Sequence, residues 1–215
     1  MARTAYYLLG AVLFTTAFLA FRAWELGRGQ APVVPGGSPL ALHYDFHFAP
    51  PFFHYDLDAG RIAALKADKD GVEDHRILGL TVADFDLGSQ YQFEEEHSWM
   101  ASDYTFWLKE LTVRFGYKSI DVYVARRYPK TSCAFQITLS HENDHVNIHR
   151  NLYLKYADIL RRTLADGGTL PDRAHPVTAL SQDEGKAELE KRVAAVLDPV
   201  FQDFQKELAE QEGEL

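Results

Sequence analysis

Residues 130 to 166 contain neither glycine nor proline, and that uninterrupted run constrains the fold more than any other part of the chain. Proline removes a backbone donor and glycine weakens a helix, so the run between Pro129 and Gly167-Gly168 predicts one helix of about 35 residues. Thr131 or Ser132 is placed to cap its start and the glycine pair to end it. Inside its first half stands His141-Glu142-Asn143-Asp144-His145. Residues four apart share a helical face, so His141 and His145 can offer two imidazole nitrogens to one tetrahedral zinc ion. Glu142 lies about 100° round the helix, beside such a metal and outside its ligands. From there it can take a proton from zinc-activated water and pass it to a leaving amine. The histidine face is expected to continue into the core as Ile148, Leu152, Tyr156 and Ile159. His149 sits about 12 Å along the axis from His141, too far to share a metal with it, and reads either as a contact around the site or as a core histidine.

The segments before this helix read as strands. Leu42 to Phe48 alternates, with Tyr44, Phe46 and Phe48 on one side and His43, Asp45 and His47 on the other. That is the pattern of a half-buried strand whose polar side faces solvent; a second metal site using those histidines and His54 is the sharper alternative. A short helix is predicted from Asp58 to Lys69, then a strand or strand pair from Ile77 to Phe93, and an aromatic helix or loop from Trp99 to Trp107. Leu111 to Phe115 and Ile120 to Tyr128 read as two strands joined by a hairpin at Gly116-Tyr117-Lys118-Ser119. Ser181-Gln182-Asp183-Glu184 has the capping-box pattern of a last helix, with Asp198-Pro199 as a candidate restart. The expected fold is therefore α+β: a small antiparallel sheet packed on the long histidine-bearing helix and a C-terminal helix.

The first residues belong to a different environment. Ala5 to Trp24 is almost purely apolar, long enough to cross the hydrocarbon of a bilayer as a helix. Residues 1–26 are read as an uncleaved membrane anchor; Thr15-Thr16-Ala17 is the processing site if the segment is instead a cleaved signal. Residues 27–39, rich in Gly and Pro, form a linker, and residues 40–215 one domain. With 47% hydrophobic and 13% aromatic content, the chain has material for one core. A net charge of -9 argues against nucleic acid as a partner, because phosphate binding needs clustered Lys and Arg. The single cysteine, Cys133, excludes an internal disulfide and a cysteine-based zinc site, and reads as a buried small apolar residue.

From Tyr123 to Leu164 the chain resembles the zincin superfamily, and within it the predicted secreted zinc-dependent protease family of bacterial envelopes. A strand, Pro129, Cys133 eight residues before the motif, and Leu139 to Val146 carry the resemblance. It implies His141 and His145 as zinc ligands and Glu142 as catalytic base. A zincin site needs a third protein ligand, and in the related proteins a downstream helix or a histidine just after the motif supplies it. Six residues beyond His145 stands Asn151, so the latter arrangement is absent. The helix climbs about 31 Å from His145 to Asp166, which the nine residues on to His175 can barely span. An antiparallel return from Ser181 draws level with His145 after about twenty residues, near Phe201. Asp203 is the expected third ligand; a shorter return would favour Glu188, and Asp198 reads as a cap before Pro199. The comparable segment of the family carries a Tyr-Asp pair and a His-Gly, where this chain has Phe201-Gln202-Asp203-Phe204-Gln205.

The expected function is a membrane-anchored zinc peptidase acting on peptide or protein in the cell envelope. Its domain would lie in the periplasm, or be secreted if the first segment is cleaved. Ile120 to Tyr128 is the expected edge strand for an extended substrate, with Tyr117, Tyr123 or Tyr128 as candidate oxyanion contacts. The alternative is a non-catalytic scaffold or binding module on the same fold.

Overall fold

A computed structural model describes residues 40–70, 77–99, 103–166 and 170–214. The expected anchor and linker lie outside the described residues; among those that are described, no helix is long and apolar enough to cross a membrane. The elements run β1 (Ala41–Phe48), β2 (Pro51–His54), α1 (Ala59–Asp70), β3 (Gly79–Ser98), β4 (Asp103–Val124), α2 (Cys133–Ala165), β5 (Val177–Ala179) and α3 (Gln182–Gly213).

The architecture is α+β, and the sheet is mixed rather than antiparallel. β4 is its centre: β3 pairs with it antiparallel along its whole length, while β1 and β2 run parallel to it and β5 antiparallel on the other edge. The predicted hairpin at Gly116 to Ser119 does not form. One strand of 22 residues passes straight through. Gly116 is not a turn residue but the partner of His47 in the parallel pairing with β1, with φ of 149°, and a Cβ there would overlap the His47 carbonyl oxygen. The turn composition was misleading because glycine serves close backbone approach as well as turns. The strand also begins earlier than expected, at Asp103, so Asp103 to Trp107 is neither helix nor loop.

Alternation sorts β4 by face. Phe106, Leu108, Leu111, Val113, Phe115, Tyr117, Ile120 and Val122 are all buried and join the core beneath α2 and α3. Shifts in the β3 register at Asp84/Phe85 and Gln92/Phe93 keep aromatic side chains on this face across the long hairpin. Phe204 of α3 lies at the middle, stacked on Phe85 at 4.6 Å and edge-on to Phe115 and Tyr156. As expected, Phe46 and Phe48 of β1 turn inward, onto Phe115 and onto Tyr117 with Tyr153.

The long helix forms where the uninterrupted run predicts it. The Ser132 hydroxyl accepts from the Phe135 amide at 3.2 Å and satisfies one of the free donors of the first turn. Cys133, the first helical residue, is exposed rather than buried, because its position next to the cap points away from the sheet. In α3 the Ser181 side chain caps Glu184, and the helix continues through Pro199 without a restart, which leaves Asp198 inside it.

Burial of Tyr91 beneath this layer, with Glu190 nearby, pushes its phenol up to about 12. An unfolded tyrosine ionises near 10, so between those values the folded state holds the extra proton and stability falls as pH rises. Tyr91→Phe should therefore show a shallower loss of stability between about pH 10 and 12 in denaturant titrations. An unchanged slope would mean that Tyr91 is open to solvent.

Candidate functional site

The core-facing stripe of α2 runs through Phe135, Glu142, Val146, His149, Leu152, Tyr156 and Leu160. Glu142, not the histidine pair, thus points into the protein; His141 is exposed and His145 half-buried on the flank of the stripe. Residues 142, 146 and 149 follow the helical period onto the sheet, and 141 and 145 are rotated off it by about 100°. The expected continuation does reach the core, with Leu152 and Tyr156 buried and Ile148 and Ile159 packed partly buried against it; only at the motif does the buried stripe pass through Glu142, Val146 and His149 instead of the histidine pair.

Glu142 is only 3% exposed. Thr81 of β3 donates its hydroxyl to one carboxylate oxygen at 2.8 Å. Gly79 lies against the same carboxylate, where any Cβ would overlap it. The strand therefore has to present glycine for the glutamate to fit. Burial raises the Glu142 pKa, against the hydrogen bond from Thr81 and the pull of His145 and His141.

The two motif histidines approach one another through their Nε2 atoms, 3.3 Å apart. Nδ1 of His145 stands 2.6 Å from Glu212 Oε2. A carboxylate only accepts, so His145 carries its N–H on Nδ1 when neutral and turns the lone pair of Nε2 toward His141. The hydrogen bond to Glu212 raises the His145 pKa. Across the same carboxylate, Oε1 lies 3.6 Å from His149 Nε2, and His149 Nδ1 meets the Tyr117 hydroxyl at 2.9 Å. Burial lowers the His149 pKa and favours the neutral ring. A line of polar groups thus runs from strand β4 to the exposed end of the motif: Tyr117, His149, Glu212, His145, His141.

Asp203 is not among these groups. It is exposed, and its charge reaches Tyr156. Glu207, one turn on, binds Lys155 and the Tyr156 hydroxyl. The carboxylate level with His145 is Glu212, which sequence reasoning missed. The antiparallel return was correct and its length was not, because α3 does not start opposite the end of α2. β5 pairs with Tyr104 to Phe106 and carries the chain farther down the sheet, so that Gly185 sits on Phe106. About ten more residues of helix are then needed to climb back. Glu188, low on α3, instead pairs with Lys191 and Arg192.

Two separated nitrogens on a tetrahedral zinc, with bonds of about 2.0–2.1 Å, stand about 3.3–3.4 Å apart, and the motif pair has that spacing. The carboxylate on the far nitrogen of His145 is the usual partner of a ligating imidazole. Among the described residues, however, no group of three or more His, Cys, Asp or Glu side chains is arranged to hold a metal. His43, His47 and His54 do not converge either: His47 faces Asp45, and His54 pairs with Asp121 at 2.9 Å and stacks on Tyr123.

The expected substrate strand also changes place. Ile120 to Val124 is paired on both sides, by β2 and β3, and has no free edge. The outer edge of β3 pairs with no other strand among the described residues, and its first residues, Gly79 and Thr81, are those that touch Glu142. Of the tyrosines considered, Tyr117 is committed to His149, Tyr128 receives Arg127, and Tyr123 lies on the opposite sheet face. There it lines a cleft of about 640 Å³ with His54, Asp56, Leu57 and Arg61, away from the motif. Comparison with known families, curated proteins and solved structures finds no match for this chain.

Proposed function

We infer that the domain is a zinc-dependent peptidase of the zincin kind, tethered to a membrane by residues 1–26 and acting on peptide or protein in the cell envelope. The observation that carries this reading is the 3.3 Å approach of His141 and His145 Nε2, with Glu212 occupying the opposite nitrogen of His145. His141 and His145 would hold the metal. Bound there, zinc supplies a Lewis acid that makes water acidic near neutral pH.

Glu142 is the proton acceptor of the site. A base works best when its pKa approaches the working pH, and burial moves Glu142 in that direction. Thr81 fixes Oε2, which leaves Oε1, packed beside Gly79, as the oxygen to take the proton. The free edge of β3 offers an extended peptide a row of backbone donors and acceptors that begins next to Glu142, which is why peptide is the favoured substrate class.

Glu142→Gln keeps size and hydrogen-bonding capacity but cannot accept the proton. Zinc content and thermal unfolding should stay near wild type while cleavage of a mixed peptide library falls by about 100-fold or more. Undiminished cleavage would move the chemistry to another residue. The lack of a third ligand among the described residues favours one competing reading, a non-catalytic scaffold on the same fold. Zinc-loaded wild type that cleaves nothing in the library would select it.

A further inference from the structure

We propose that Glu212, in the last turn of α3, is the positioning residue of the motif histidines, and that Tyr117 and His149 lock it in place from the sheet. The inference rests on the zinc reading of His141 and His145. It goes beyond that reading by assigning a role to a residue 67 positions downstream of His145.

The geometry supplies three parts. Glu212 Oε2 holds Nδ1 of His145 at 2.6 Å, which fixes both the ring rotation and the tautomer that frees Nε2. Glu212 Oε1 is buried without a hydrogen-bond partner among the described residues, and His149 Nε2 lies 3.6 Å from it. Glu212 only accepts, so a neutral His149 that turns its N–H on Nε2 toward that carboxylate leaves Nδ1 as the acceptor for the hydroxyl of Tyr117, which is 1% exposed and 2.9 Å away. A carboxylate placed only to cap α3 would not be met by two imidazoles of another helix. An acidic residue at a helix C-terminus is also unfavourable for the helix dipole, so helix stability alone gives no reason for a glutamate there.

The test uses the full-length protein in detergent, with zinc affinity read by chelator competition. Glu212→Ala should weaken zinc binding by about 10- to 100-fold. Glu212→Gln retains an acceptor oxygen for Nδ1–H and should recover most of that loss. Proton NMR of the zinc-loaded protein should show a strongly downfield Nδ1–H of His145 in wild type and Glu212→Gln, and none in Glu212→Ala. Thermal unfolding of the three metal-free proteins should leave all of them folded at the assay temperature, with Glu212→Ala lowered by the loss of its one hydrogen bond to His145, so that zinc affinity is compared between folded states. Zinc-binding wild type with unchanged affinity in Glu212→Ala overturns this inference alone; so does an affinity loss that Glu212→Gln fails to recover. Wild type that takes up no zinc overturns the zinc reading and this inference together.

Discussion

His141→Ala and His145→Ala should each reduce bound zinc from about one per chain to less than about a tenth of that, measured by elemental analysis after dialysis. Each substitution removes one of the two Nε2 atoms that approach within 3.3 Å, and a metal left with a single imidazole is lost to solvent. His145→Ala should have the larger effect, because it also leaves Glu212 without its partner at 2.6 Å. Asp203→Asn should change nothing, since Asp203 is exposed beside Tyr156 and not at the histidines. Equal zinc in wild type and both histidine variants would end the metal assignment. Zinc loss in Asp203→Asn would mean that α3 is seated about two and a half turns away from the level at which Glu212 meets His145.

Gly116→Val should destabilise the domain by about 3 kcal/mol or more, seen as a large drop in the denaturant midpoint. Two costs add: φ of 149° is a conformation that a β-branched residue resists, and the new side chain must displace the His47 carbonyl of β1. The strain would fall next to Tyr117, whose hydroxyl binds His149, so zinc affinity should fall along with stability. A change within about 0.5 kcal/mol, the range of ordinary surface substitutions, would show that His47 of β1 does not lie against Gly116.

Much of the α-helical architecture is legible in the residues. α2 needs only the absence of breakers and Ser132 at its head, and α3 needs only Ser181 with Glu184; both are decided by hydrogen bonds spanning three or four residues. The same local geometry puts His141 and His145 on one face, which is why the motif can be read from its five residues alone. The sheet is harder. Gly116 looks like a turn in sequence, and only the approach of His47, far back in the chain, shows why a straight strand has glycine there.

The helices, the spacing of the histidines and the inward alternation of Phe46 and Phe48 follow from the order of residues, because each depends on a period repeated within a few positions. Three features follow only from packing: Glu142 and not the histidine face meets the sheet, β3 and not Ile120 to Tyr128 has the free edge, and Glu212 rather than Asp203 reaches His145. The last of these turns on axial offset. Where α3 stands relative to α2 is set by the pairing of Val177–Ala179 with Tyr104 to Phe106, about seventy residues apart in the chain. A helix advances 1.5 Å per residue, so an error of ten residues in its starting level moves every side chain by about 15 Å, and no local pattern contains that starting level.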